Sequence, residues 1–386
     1  MNIFEEDKEF IAGTYKRFPV AIVSGKGSLL TDEAGKNYID MGTGIAVNSF
    51  GAADEKWQEA VIEQIKKVQH TSNLYYSEPC AKLAHMLCDR TGMKKVFFSN
   101  SGAEANECAF KVARKYAADK KGPEYFNIIT LVNSFHGRTL TCLSATGQEH
   151  YHELFQPLTP GFLHAEANNF GDVKNLIENN KTAAVMIECV QGEGGVIALD
   201  KDYVCKLAEY VKEKDILLVV DEVQTGNGRS GQLYSYMNYG IQPDVVTTAK
   251  GLAGGLPIGA TLLGEKVQNV LGPGDNGSTF GGNLVSCAAG VSILERIDEK
   301  LLAEVREKSK YLFDTFTGAE GIEKVSGMGL MIGLKTTKPA SEVVNACIEK
   351  GVLCLTAKDR IRLLPALNIS MDLLQKAADT IKECCK

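Results

Sequence analysis

The stretch Leu217-Leu218-Val219-Val220-Asp221-Glu222-Val223-Gln224-Thr225-Gly226, followed one unit later by Thr247-Thr248-Ala249-Lys250-Gly251, decides how this chain is read. Each begins as a short run of apolar or β-branched residues, the mark of a parallel strand buried on both faces. Each then ends in an ionisable residue. Ligands of open parallel sheets bind beyond the carboxyl ends of the strands, so Asp221 and Lys250 are expected to face one crevice. A lysine there can form a Schiff base once desolvation lowers its pKa, and a carboxylate beside it can keep a pyridinium nitrogen protonated. A plain strand-end salt bridge would use the same two residues.

On either side of this stretch, strands are predicted at Val96–Phe98, Asn127–Val132, Ala183–Glu188 and Asp244–Thr248. Ala109, Val112, Ala113 and Tyr116, and again Val204, Leu207, Ala208 and Val211, form apolar stripes at helical spacing. The alternation predicts an α/β fold with a mostly parallel central sheet and helices on both faces. The ends of the chain differ. Gly27–Asp40 reads as strand–turn–strand around Glu33-Ala34-Gly35-Lys36. After Gly282 one long helical pattern is expected to about Thr315, then short strands near Gly329–Leu334 and Val352–Leu355, and a last helix capped by Ser370. The expected division is a large α/β domain over 49–283 and a smaller α+β domain built from 1–48 and 284–386.

Composition narrows the function. With 42 Lys+Arg against 48 Asp+Glu over 386 residues, the chain lacks the basic footprint of a general nucleic-acid binder. MNIFEEDKEF has no cationic segment leading into an apolar core, and runs such as Ile216–Val220 are far too short to span a bilayer, so a cytoplasmic protein without membrane contact is expected. The 11 cysteines have no C-x-x-C spacing and read as free thiols, mostly small buried hydrophobes.

Further motifs bear on the crevice. Ser99-Asn100-Ser101-Gly102-Ala103-Glu104-Ala105 puts a Ser-Gly turn at a helix start, where free N–H groups and the helix dipole suit a phosphate; plain capping by Ser101 would look the same. Phosphate site, acid and lysine on successive βα units describe a pyridoxal phosphate pocket better than a nucleotide pocket, since neither G-x-x-x-x-G-K-[ST] nor a suitably placed G-x-G-x-x-G is present. In Asn133-Ser134-Phe135-His136-Gly137-Arg138-Thr139, Phe135 can stack on a cofactor ring and Arg138 can bind a carboxylate, or Phe135 is ordinary loop packing. Glu188-Cys189-Val190-Gln191-Gly192-Glu193-Gly194-Gly195 follows another strand, and its glycines permit close backbone approach. Gly277-Ser278-Thr279-Phe280-Gly281-Gly282-Asn283 offers hydroxyls and amides, and Ile361-Arg362-Leu363-Leu364-Pro365 a second arginine, a residue type more often solvated than functional. His150-x-His152 has no third ligand at suitable spacing, so no metal site is expected.

In this order the motifs resemble the class III (ω) aminotransferases of the fold-type I pyridoxal-phosphate enzymes, over nearly the whole chain. Asp221–Gly226, the Lys250 segment, Ser101–Ala105 and Gln191–Gly195 are the specific matches. Gly44–Asn48, Ser72–Tyr76 and Phe135–Arg138 are most similar to acetylornithine aminotransferases, which implies transfer of the terminal amine of N2-acetyl-L-ornithine to 2-oxoglutarate. The resemblance implies that Lys250 bears the cofactor pyridoxal 5′-phosphate and that Asp221 pairs with its ring nitrogen. Val223 and Phe135 would pack on opposite ring faces, Gln224 would lie near the ring oxygen, and Glu188 would support the pocket. Ser101, Gly102 and Ala103 would hold the phosphate, with Thr279 reaching the phosphate of a second subunit and so implying a homodimer. Arg138 and Arg362 would clamp substrate carboxylates, Ser278 would lie at the substrate, and Glu193 would gate Arg362. The chain departs from the family pattern at Ala52-Ala53-Asp54-Glu55, Cys189 and Ala366, none of which removes a reacting group. Other donors of the same family, namely succinylornithine, ornithine, aminoadipate-pathway amines and 4-aminobutyrate, remain open, as do a glutamate-semialdehyde aminomutase and a catalytically silent α/β binding protein.

Overall fold

The computed structural model describes residues 2–386. Its centre is a seven-stranded sheet of β1 (Lys95–Ser99), β2 (Asn127–Leu131), β3 (Phe162–Ala165), β4 (Thr182–Ile187), β5 (Leu217–Asp221), β6 (Val245–Thr248) and β7 (Gly259–Leu263). The order across the sheet is β1-β7-β6-β5-β4-β2-β3. All pairs are parallel except those of β7, which runs against both neighbours. The strands from β4 to β7 are buried residue after residue, as a sheet covered on both faces requires. Val219 packs on one face with Ala109, Val112 and Ala113 of the helix Gly102–Lys121. Val220 packs on the other with Val204 and Leu207 of the helix Lys201–Glu213. Each such valine contributes about 1.5–3 kcal/mol by leaving water.

Strand direction explains where a site can form. Asp221 lies opposite Thr247 in the β5–β6 register, and Gly259 at the start of β7 lies opposite Ser99 at the end of β1. The reversed strand therefore begins at the edge where its neighbours end. Loops at 100–103, 133–138, 188–195, 221–226, 249–252 and 255–258 all gather along that edge.

The two chain ends share structure. Leu29–Asp32 and Asn37–Asp40 form the expected hairpin, turned at Gly35 with φ 81°, a left-handed value that glycine adopts without strain. Asn37–Asp40 then pairs in parallel with Val352–Leu353. A second sheet joins Ile322–Met328, Met331–Thr336, Arg360–Leu363 and Leu355–Ala357. Leu364 N donates to Met41 O at 2.6 Å and Thr43 Oγ1 to Leu364 O at 2.6 Å, fixing the Arg362 strand against the N-terminal segment.

Several local expectations are corrected. The single helix expected after Gly282 is two, Leu284–Leu294 and Glu299–Phe316, because Asp298 caps the second by accepting from Leu301 N at 2.8 Å. The strand expected to end at Glu188 ends at Ile187, and β3 and β7 are strands with no counterpart in the sequence reading. Asp54, in the segment that departs from the family pattern, caps the helix Glu55–Lys67 and pairs with Arg296 at 2.7 Å. His152 Nε2 lies 2.9 Å from Leu143 O and 2.7 Å from Thr146 O, a backbone-bracing role. All 11 cysteines are free, and eight are buried. Among the described residues no helix is long and apolar enough to cross a membrane.

Candidate active site

The converging loops enclose a cavity of about 350 Å³ whose lining includes Ser101, Gly102, Ala103, Phe135, Glu188, Asp221, Val223, Gln224 and Lys250. At one end the helix Gly102–Lys121 points its N-terminus inward. Ser101 is its cap, accepting from Glu104 N at 3.2 Å, and the N–H groups of Gly102 and Ala103 have no carbonyl four residues back within the helix. Gly102 has to be glycine, since a Cβ there would come within 2.6 Å of Val223 Cγ1.

Asp221, buried at the end of β5, is held from three directions. Oδ2 accepts from Asn106 Nδ2 at 2.8 Å and lies 2.8 Å from His136 Nδ1, while Oδ1 accepts from Val223 N at 2.9 Å. A carboxylate has about four acceptor positions, so one remains for a group in the cavity. Burial by itself would lower the His136 pKa, but the hydrogen bond and charge of Asp221 raise it above the ordinary histidine value. Asn106 and His136 went unassigned from sequence, yet one signal was present: residues 106, 109 and 113 share a helix face, and Asn106 is the polar member of an otherwise apolar stripe.

Lys250 follows β6 in a short 3₁₀ turn, Lys250–Leu252. Desolvation lowers its pKa, enlarging the neutral amine fraction a nucleophile or base needs. Glu188 lies between the ring wall and the next loop, its carboxylate accepting from Phe135 N at 2.9 Å and Gly192 N at 3.4 Å, and burial pushes its pKa up to about 7.

Behind the Gln224 wall Arg362, buried on its strand and like Glu193 outside the cavity lining, donates through Nη1 to Glu193 and, at 3.1 Å, to Gln224 Oε1. Burial favours the neutral form of Glu193, but the Arg362 charge and hydrogen bond outweigh it and hold the carboxyl below its usual value. Arg362 Nε is buried and has no partner among the described residues. Arg138 is exposed outside the cavity lining, its guanidinium 4.2 Å from the Tyr151 ring centroid and 5.4 Å from that of Phe135. Ser278 stands at the rim, its Oγ accepting from Asn100 Nδ2 at 3.0 Å, and Thr279 is exposed and does not line the cavity of its own chain.

An amine, a fixed carboxylate and a helix N-terminus thus share one pocket, and a caged arginine stands behind its Gln224 wall. The family model for Aminotransferase class-III matches residues 10–385. The chain is a class III aminotransferase. This aminotransferase is 48% identical to an acetylornithine aminotransferase of Haemophilus ducreyi, the match covering 99% of this chain and 98% of that one. Its identity to the acetylornithine aminotransferase of Aquifex aeolicus is 45%, over 97% and 99% of the two chains. Among solved structures it is similar to N-acetylornithine aminotransferase from Stenotrophomonas maltophilia, with TM-score 0.84, 33% identity and 96% of each chain covered.

The aminotransferase is pyridoxal-phosphate-dependent, as its class is. The cavity suits that group on three observations: the open helix N-terminus, the spare acceptor position on Asp221, and the space kept by the missing Cβ of Gly102.

Proposed function

We propose that this aminotransferase moves the terminal amine of N2-acetyl-L-ornithine to 2-oxoglutarate, giving N-acetyl-L-glutamate 5-semialdehyde and L-glutamate, a step of arginine biosynthesis. The observation that carries the reading is the buried Arg362–Glu193 pair, joined through Gln224 to the cavity that holds Lys250. It suits an enzyme whose two substrates present different charges at the reacting end. The names of the relatives support the acyl-capped donor.

When bound, pyridoxal phosphate supplies an electron-withdrawing ring that accommodates the electron pair left at the substrate carbon. Ser101 and the N–H groups of Gly102 and Ala103 would hold its phosphate, Val223 and Phe135 would pack on its ring, and Gln224 would hold its ring oxygen. Asp221 keeps the ring nitrogen protonated, and its clamp by His136, Asn106 and Val223 N–H holds it in one orientation. Lys250 would hold the group through its amine and, when that amine is free, would serve as the base that takes the proton from the substrate carbon and as the acid that returns it. While the donor is bound, Glu193 keeps Arg362 paired, because a lone buried guanidinium would be costly. For 2-oxoglutarate, Arg362 exchanges Glu193 for the carboxylate beside the keto group, and Arg138 takes the far one.

We further propose a cytoplasmic homodimer in which Thr279 serves the neighbouring site, with Ser278 at the substrate, and a small domain made of 1–48 and 284–386. Support for the dimer comes from the exposed Leu74, Tyr75, Tyr76 and Phe280, which lie together because Asn73 Nδ2 donates to Ser278 O at 3.0 Å and Gly281 O at 2.9 Å. The deciding experiment offers acetylornithine, succinylornithine, ornithine and 4-aminobutyrate with 2-oxoglutarate. Acetylornithine is expected to lead in kcat/KM by about tenfold, or ~1.4 kcal/mol. Preference for another donor would overturn the substrate assignment.

A further inference from the structure

Lys250 is built on a left-handed backbone, φ 45°, which a residue with a side chain keeps only when its surroundings impose it. Its surroundings supply two polar tethers, one on each flank. Asn227 Nδ2 donates to Ala249 O at 3.2 Å and to Thr248 Oγ1 at 3.0 Å, before the lysine. Ser49 Oγ donates to Gly251 O at 3.2 Å, after it. Ser49 is itself anchored, its carbonyl accepting from Leu367 N at 2.9 Å. Neither Asn227 nor Ser49 lines the cavity, so any influence on the chemistry passes through the Lys250 backbone.

Asn227 is an expensive choice for mere filling. It is 3% exposed, its Oδ1 has no partner among the described residues, and it sits at φ 56°, a conformation asparagine tolerates better than most residues. What the buried amide does is hold the two residues that lead into Lys250.

We propose that Asn227, with Ser49 opposite, is a positioning residue for Lys250: the pair of side chains locks the left-handed turn and so aims the amine along the proton-transfer path. The inference rests on Lys250 being the cofactor-bearing amine. Without the Asn227 donor, Ala249 is free to rotate and the amine leaves its line, and a misplacement of about 1 Å lowers rates about a hundredfold. The charged groups around Lys250, which are Glu193, Arg362, Asp221 and Glu188, stay in place.

The test compares wild-type holoenzyme with Asn227→Ala, Asn227→Gly, Asn227→Asp and Ser49→Ala. It reads the wavelength and pH midpoint of the visible absorption band, the half-time of cofactor loss on dialysis, and kcat and KM. Asn227→Ala is expected to lower kcat by about 10- to 100-fold with KM within about twofold, to shift the pH midpoint and to shorten the half-time. Asn227→Gly keeps the left-handed backbone, so an equal loss assigns the effect to the amide. Should Asn227→Ala not fold, Asn227→Asp, which keeps the size without the donor, and Ser49→Ala decide. An unchanged band, half-time and kcat in the folded variants would overturn the inference, even with a lowered Tm. Wild-type protein that gives no band with pyridoxal phosphate would overturn the Lys250 assignment beneath it.

Discussion

The cavity and the ion pair behind its Gln224 wall treat charge in opposite ways. Asp221 is gripped by Asn106, His136 and the Val223 N–H, all from segments packed into the central sheet. Arg362 is gripped chiefly by Glu193, whose side chain keeps 27% of its exposure, and one of its own nitrogens is unused. A group that performs the same task in both half-reactions profits from having one position. A group that meets a monocation side in one half-reaction and a diacid in the next needs two. Fixed and switchable charges are therefore held by separate parts of the molecule, and both act on Lys250.

Four changes would break or sharpen this contrast. Lys250→Ala should abolish the visible band and lower turnover by about 10⁴-fold or more, and a coloured, active variant would remove the centre of the scheme. Asp221→Asn should lower kcat by about 10²–10³ for donor and acceptor alike, because the fixed end serves both halves; single-turnover rates with each substrate would reveal an unequal loss. Glu193→Ala should separate them, favouring 2-oxoglutarate and glutamate over the acyl-ornithine donor by about tenfold in kcat/KM. An unchanged ratio would mean that Arg362 needs no gate. The smallest effect concerns Glu188, which ties the Phe135 and Gly192 loops together. Its folded pKa, about 7, lies above the ordinary 4.5, so its contribution to stability is complete below pH 4.5 and is lost as pH rises through 7. Apo Glu188→Gln should thus gain on the apo wild type by about 1–3 kcal/mol between pH 5 and pH 8. Denaturant titrations at the two pH values with the same difference would show that this carboxyl is not strained by burial.

Sequence legibility followed the range of the interactions. The strands carrying Asp221 and Lys250 were readable because each is a local apolar run closed by a charge, and the helix from Gly102 because its stripe and its serine cap lie within one segment. The break before Glu299 was missed because it carries neither glycine nor proline, only the cap Asp298. β7 was missed because its direction depends on which neighbours it joins, and nothing within Gly259–Leu263 encodes that. In the site, the bonds of Asn106 and His136 to Asp221 cross 115 and 85 positions of chain, so no window of sequence contains them. The resemblance to the class supplied Glu193 and Arg362, 169 positions apart, whose pairing no local pattern records.

The parallel pairing of Asn37–Asp40 with Val352–Leu353 sets a schedule for synthesis. Lys36 Nζ, next to that strand, donates to Ile348 O, 312 positions later. At about 5–20 residues per second the ribosome takes roughly 15–60 s to span that interval, during which the N-terminal hairpin has no strand to join. The sheet edge bearing Asp221 and Lys250 leaves the exit tunnel first, and Arg362 arrives only with the final segment. The nascent chain therefore holds Asp221 and Lys250 well before Arg362 arrives to pair with Glu193.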